Sequence, residues 1–294
     1  MRILYLGLPL GAVTLLRAGI RPVGCAIGHP DAPGMRRLRT ALPRESLLLG
    51  KPRLEDPVVH EVLGSLGYDV VLSWFWPRRI PEALLARAPR GAFGVHPSLL
   101  PRWRGPDPYF HALRAGDPTT GVTLHRLDAS YDTGPIVERI EVPILPRDDA
   151  WTLARRLDRP SLALLVRAAQ RLAAGEALPG APQDGRLATP APRPSEEDLV
   201  LRFADEDGES LARLVRAAAP EPGASALLEE TLVTVQRARP WAGTFPGSLR
   251  PGEAFVAPEG VVVRCRERGL LLERVRSEED DRVLAGLAIA SLLG

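Results

Sequence analysis

The chain has 294 residues, 45% hydrophobic and 25% charged, with a formal net charge of +2, which fits an ordinary globular protein of one or two domains. Cys25 and Cys265 stand far apart, each in an apolar run, which excludes a disulfide framework and a metal site and suits a reducing cytosol. No stretch is long and apolar enough to span a membrane, and the slight positive excess, nearly all arginine because Lys51 is the only lysine, does not separate an RNA partner from a phosphorylated small molecule.

Arg2 and the apolar run to Leu16 imitate a signal peptide, but Gly7, Pro9 and Gly11 interrupt the run and no small-residue cleavage site follows it. Arg2–Gly7 reads instead as a strand buried on both faces. Leu10, Val13 and Leu16 give a helix over Leu10–Ala18, closed by Gly19. Pro22–Ile27 is a second strand, completing a strand-helix-strand unit of the doubly wound kind. The Gly7–Gly11 turn lacks the full G-x-G-x-x-G spacing, so no dinucleotide site is expected. His29–Arg44 reads as a basic surface loop, Pro57–Leu66 as a helix and Asp69–Phe75 as a buried strand. The segment Trp74–Pro81 (WFWPRRIP) follows the C-terminal end of that strand, where open α/β sheets place their ligands.

Ala92–Val95 is the next strand, with His96 just past its end. Tyr109–Ala115 is a short helix stopped by Gly116, and Val122–Leu127 and Ile136–Val142 form a pair of strands. Trp151–Ala174 has Leu153, Leu157, Leu164, Ala168 and Leu172 on one side of a helix, which Pro160 should kink or divide. Gly180–Pro194 is rich in Pro, Gly and Ala and marks a linker. Beyond it come strand candidates at Leu199–Phe203, Thr231–Ala238, Val261–Arg266 and Leu270–Val275, with one helix at Gly208–Ala219. The fold class is therefore α/β: a mostly parallel doubly wound sheet, then a small β-rich, OB-like domain. The expected boundaries are 1–185, a linker at 186–196, and 197–294.

The segment 94–134 reads GVHPSLLPRWRGPDPYFHALRAGDPTTGVTLHRLDASYDTG. It resembles the core of the folate-dependent formyltransferases, whose members act on methionyl-tRNA or on nucleotide-linked amino sugars. That core runs Asn-x-His-x-Ser-Leu-Leu-Pro-x-x-Arg-Gly, then Gly-Val-Thr, then Asp-x-Gly. The chain supplies His96, Ser98 to Pro101, Arg104, Gly105, Gly121 to Thr123, Asp132 and Gly134, while Gly94 stands where the family has asparagine. Leu214–Ala226 (LVRAAAPEPGASA) is similar to the start of the family's C-terminal domain, so the resemblance covers most of the chain.

The resemblance implies a cytoplasmic enzyme that moves a formyl group from 10-formyltetrahydrofolate, a co-substrate, to a primary amine without a metal. The acceptor is methionyl-tRNA, an amino sugar or a natural-product amine. Such acyl transfer takes a proton from the amine, returns one to the folate nitrogen and stabilises an oxyanion. A histidine with a pKa of ~6.5 oriented by a carboxylate suits the shuttle. The family's use of these groups points to His96 and Asp132 as catalytic, with Gly94 at the place of the asparagine that donates to the oxyanion. Losing one such donor typically costs ~10²–10³ in rate, so a catalytically altered or silent member that binds folate or RNA stays open. The folate-binding residues implied are Arg78, Arg79 and Ile80, then Ser98, Leu99, Leu100 and Pro101, then Asp128, Ala129, Ser130 and Tyr131. The stretches SWFWPRRIP, GAF and GVTLHRL look closer to the sugar enzymes. The basic segment His29–Arg44 lies where the tRNA enzymes carry a longer basic loop. Arg104 either pairs with an acidic group of folate or braces its own loop. His111 and His125 fall outside the motif and read as surface residues.

Overall fold

The computed structural model describes residues 1–293. Its first sheet is built from β1 (Ile3–Gly7), α1 (Pro9–Arg17), β2 (Gly24–Ile27), α2 (Met35–Ala41), β3 (Leu47–Gly50), α3 (Pro57–Ser65), β4 (Val70–Trp74), α4 (Glu82–Leu85) and β5 (Ala92–His96). After α5 (Pro108–Ala115) come β6 (Thr119–Arg126), β7 (Ile136–Pro143) and α6 (Ala150–Ala173). The strand order is β3-β2-β1-β4-β5-β6-β7. The strands β3 to β5 are parallel, and β6 and β7 close the edge antiparallel. Every residue of β1, β2, β4 and β5 is buried, as expected of unbroken apolar runs with helices on both faces. Local signals set the helix ends. Pro57 opens α3 behind Asp56, whose carboxylate accepts from Val58 N at 2.8 Å, and Gly116 closes α5 at φ +74°.

His29–Arg44 is not all loop: Met35 and Leu38, three apart, are buried within α2, and Arg36, Arg37 and Arg39 remain exposed. Of the two outcomes expected at Pro160, kinking or division, division does not occur: α6 runs as one helix through it. Leu157, Leu164, Leu165, Ala168 and Leu172 bury one continuous face around it. Ser161 Oγ donates to Asp158 O at 2.9 Å and accepts from Trp74 Nε1 at 2.9 Å. That packing outweighs the ~3 kcal/mol typical of an interior proline.

The chain divides into two compact units. The first holds Met1–Pro106, Thr119–Pro143 and Arg156–Ala191; the second holds Asp107–Pro118, Ile144–Arg155 and the chain from Pro192 onward. The second unit contains α7 (Gly208–Ala218), β8 (Ala224–Leu228), β9 (Thr231–Trp241), β10 (Ala254–Ala257), β11 (Gly260–Arg264), β12 (Gly269–Ser277) and β13 (Val283–Ala285). Its antiparallel order is β10-β11-β12-β9-β8, with β13 on β12. Asp207 caps α7 by accepting from Ser210 N at 2.7 Å, and α5 packs against α7 through Arg114, which donates to Ser210 O at 3.0 Å. Leu199–Phe203 is not a strand. Its alternate residues Leu199, Leu201 and Phe203 are buried as a strand's would be, yet only Val200 bridges to a neighbour, Ser225. No described helix is long and apolar enough to cross a membrane.

Candidate active site

The antiparallel register of β5 and β6 pairs Gly94 with His125 and His96 with Thr123. Side chains two apart on a strand share a face, so these four residues form one patch. His96 is the last residue of β5 rather than the first beyond it. Thr123 fastens the following turn: its Oγ1 donates to Ser98 O at 2.6 Å and accepts from Leu100 N at 3.1 Å. Ser98 and Leu100 are fully buried there, and Ser98 Oγ donates to Arg102 O at 2.6 Å. Leu99 packs over Gly121, and Pro101 is buried.

Asp132 enters from the loop after β6 in the left-handed region, at φ +56°. One carboxylate oxygen, Oδ2, accepts from Gly105 N at 3.0 Å. Gly105 has φ +128°, and a Cβ there would lie 2.6 Å from Ala191 O, so glycine alone permits that approach. The other oxygen, Oδ1, is 3.4 Å from His96 Nδ1 and 3.7 Å from His125 Nε2. Arg104 braces this loop: its Nε and Nη2 donate to Gln183 Oε1 at 3.1 and 2.7 Å. Gln183 Nε2 in turn donates to Asp132 O at 2.9 Å and Gly134 O at 2.7 Å.

Hydrogen bonds to backbone set both imidazole tautomers. His96 Nε2 lies 2.8 Å from Trp103 O and His125 Nδ1 lies 2.9 Å from Arg126 O. A carbonyl only accepts, so each of those nitrogens carries a hydrogen. The nitrogens facing Asp132, His96 Nδ1 and His125 Nε2, therefore present lone pairs in the neutral rings. His125 is 2% exposed and His96 7%. Burial pushes the His125 pKa down from 6.5 to about 4, against the pull of Asp132. His125 is thus no surface residue, because β6 lies inside the sheet between β5 and β7 and buries both of its faces. The sequence signal for it is its place two residues beyond Thr123, in register with Gly94.

Gly94 has ordinary strand geometry, so a side chain is conformationally allowed there. A Cβ would lie 2.7 Å from Leu127 Cδ2 and 3.4 Å from His125 Nε2. Leu127 has filled much of the space.

The two loops expected to hold ligand are joined, since Arg79 donates to Ala129 O. Ile80, Trp76 and Leu127 pack against the core around Leu4, Leu6 and Val71. Arg78 turns elsewhere, donating to Pro52 O at 2.9 Å with its guanidinium 5.5 Å from the Trp76 ring centroid. Asp128 organises its own turn, accepting from Ser130 N at 3.1 Å and from Thr133 Oγ1 at 2.8 Å. Tyr131 is 55% exposed. The structure therefore gathers His96, Asp132, His125 and Gly94, with Arg79 and Ala129 forming a second contact. The indole Nε1 of Trp76 is buried without a hydrogen-bond partner.

Two family models cover most of the chain: formyl transferase over residues 35–169, and the formyl transferase C-terminal domain over 194–288. The chain belongs to the formyltransferase family. A methionyl-tRNA formyltransferase from Thermus thermophilus is 37% identical over 289 residues, 95% of this chain and 92% of that protein. Among solved structures, HypX from Aquifex aeolicus in complex with tetrahydrofolic acid matches with a TM-score of 0.66 at 20% identity, covering 100% of this chain and 47% of that one. A sugar N-formyltransferase from a Shewanella species matches at 0.64 and 16% identity, over 80% of this chain and 96% of that one. These structural likenesses speak for the fold. Within this formyltransferase fold, the histidine and aspartate of the sequence motif, separated by 36 positions in the chain, meet at 3.4 Å.

Proposed function

We propose that this formyltransferase moves the formyl group of 10-formyltetrahydrofolate to the amine of methionyl-tRNA. The observation that carries the chemistry is the facing of His96 Nδ1 and Asp132 Oδ1 while His96 Nε2 is committed to Trp103 O. As the amine nitrogen bonds to the formyl carbon it loses a proton, and as the bond to folate N10 breaks that nitrogen gains one. His96 Nδ1 receives the first proton and returns it to N10, and Asp132 stabilises the imidazolium in between. Gly105 N and Gln183 hold Asp132 in place for both steps.

We place folate beside the loops that Arg79 and Ala129 join, and the unpartnered Trp76 Nε1 in the first of those loops supports a polar ligand group there. The acceptor assignment rests on the 37% identity to the Thermus methionyl-tRNA enzyme across 95% of the chain. Exposed Arg36, Arg37 and Arg39 on α2 supply charge for RNA phosphates. Two buried free thiols suit a cytoplasmic setting.

The test is turnover of 10-formyltetrahydrofolate by the full chain with methionyl-tRNA and, separately, a nucleotide-linked amino sugar. Formyl-methionyl-tRNA should form, with a Michaelis constant for tRNA that rises steeply with salt. Formylation of the sugar alone would overturn the acceptor. Absence of both turnover and folate binding would overturn the enzyme reading.

A further inference from the structure

The oxyanion donor is the part of this reaction that Gly94 leaves unaccounted for. Asparagine in a formyltransferase site would donate from above position 94, and here the polar atom facing that space is His125 Nε2, 3.4 Å from where a Cβ would stand. The backbone does not supply it at this position, because the amides along β5 lie in its ladders with β4 and β6. In the resting site Nε2 is bare, because Nδ1 holds the ring's hydrogen against Arg126 O. A bare nitrogen repels an oxyanion; a protonated one donates to it. The question is where that proton comes from.

Asp132 Oδ1 lies between the two ring nitrogens that no backbone carbonyl engages, at 3.4 Å from His96 Nδ1 and 3.7 Å from His125 Nε2. We infer that the proton released by the attacking amine is shared across Asp132 between His96 and His125, and that His125 Nε2–H replaces the missing asparagine as donor to the oxyanion. This rests on the formyl-transfer reading above. The balance closes without a further reactant. The carbon–nitrogen bond to the amine forms, one N–H proton enters the His96–Asp132–His125 cluster, and the cluster becomes neutral overall as the oxyanion appears. When the carbonyl re-forms and the bond to N10 breaks, the same proton leaves on N10. Developing negative charge beside Nε2 favours its protonated form, as any nearby anion does, so the donor arises in the step that needs it. The other groups facing His125 act in the same electrostatic frame: Asp128 supports a positive ring and His96 opposes it.

The experiment is a cycle of variants of the full chain, with single-turnover rates and thermal melts for each. His125→Phe should cost about 10²-fold in rate, the scale of one oxyanion donor. His125→Gln, which carries a neutral donor, should recover most of it. Gly94→Asn in the His125→Phe background should also restore the rate, while in the wild type it should add less than threefold. Asparagine enters by displacing the flexible end of Leu127. His125→Phe within threefold of wild type, or no rescue by either amide in folded protein, would overturn the inference. A purely structural His125 would couple to position 94 in the thermal melts but not in the single-turnover rate of folded protein. If the wild type turns over no acceptor, the functional reading fails and this inference falls with it. With turnover present, nitrogen-15 spectra of labelled histidines give a second check: a resting His125 with protonated Nε2 and bare Nδ1 at neutral pH would overturn the inference alone.

Discussion

The two units bury different things. At the β5–β6 corner of the first, Ser98, Thr123, His96 and His125 are buried polar side chains, each tied to a backbone carbonyl or amide. In the second, the sheet interior is Val233, Val235, Val261 to Val263 and Leu270 to Leu272. Its charges face outward, as where Arg237 and Arg239 flank Glu273 at 2.9 and 3.3 Å. Buried polar groups are costly unless paired, and once paired their protons have few places to go. Exposed ion pairs are screened and contribute ~0–1 kcal/mol. A small change at the first corner should therefore alter chemistry, and a similar change on the second sheet should alter little.

Asp132→Asn tests this most severely. Asparagine tolerates the left-handed backbone and still accepts from Gly105 N, so the melting temperature should stay within a few degrees. The charge facing both imidazoles is lost, and single-turnover rate should fall by ~10²–10⁴, the scale of general acid–base catalysis. Unfolding of the variant would erase the contrast, since the loop would then need the carboxylate for stability.

The next effect is on acid stability. The folded pKa of His125, about 4, is depressed below the 6.5 of an unfolded histidine. Between those values the unfolded chain binds more protons, so the site's contribution is intact above 6.5 and is lost as the pH falls toward 4, by ~3 kcal/mol. Denaturant titrations at pH 7, 5.5 and 4.5 should show this slope in the wild type and a shallower one in His125→Phe. Glu273→Gln on the second sheet should shift stability by less than ~1 kcal/mol at all three; a larger shift there would break the comparison.

Gln183→Ala should lower the rate about tenfold by loosening the Asp132 loop, since small displacements of a reacting group are costly. Stability should fall by ~1 kcal/mol as Arg104 and two carbonyls lose a partner. Equal loss in a variant that leaves the loop untouched would argue against positioning. The smallest effect is expected of Arg36→Ser, Arg37→Ser and Arg39→Ser together. The logarithmic salt slope for methionyl-tRNA should drop by ~0.7–0.9 per lost phosphate contact, with folate kinetics unchanged.

Much of this was open to reading in the chain itself. Apolar runs such as Val70–Trp74 announce buried strands because both faces are covered, and the motif from His96 to Asp132 marks the pair that meets. What stayed hidden depends on pairing between distant segments. His125 reads as a surface residue until the fold brings Asp132, 3.7 Å from its Nε2, and the β5 residue Gly94 against its face of β6. Arg104 had two readings until Gln183, 79 residues later, supplied its acceptor. Short strands such as β10, four residues long, carry too little pattern to be seen without their neighbours.

The bonds from 183–191 back to the site also bear on how the protein matures. Gln183 holds Asp132, Thr189 Oγ1 accepts from Trp103 N at 2.9 Å, and Ala191 N donates to Arg104 O at 2.7 Å. All of the motif residues leave the ribosome well before these partners do. The nascent chain therefore carries its histidines and aspartate for the time it takes to add about 50 to 90 residues, seconds at ~5–20 residues per second, before the clasp that sets their spacing exists. A fragment cut near Gly180 holds every strand of the first sheet but none of the residues of that clasp. Ending the fragment at Ala191 instead is the shortest way to let it close.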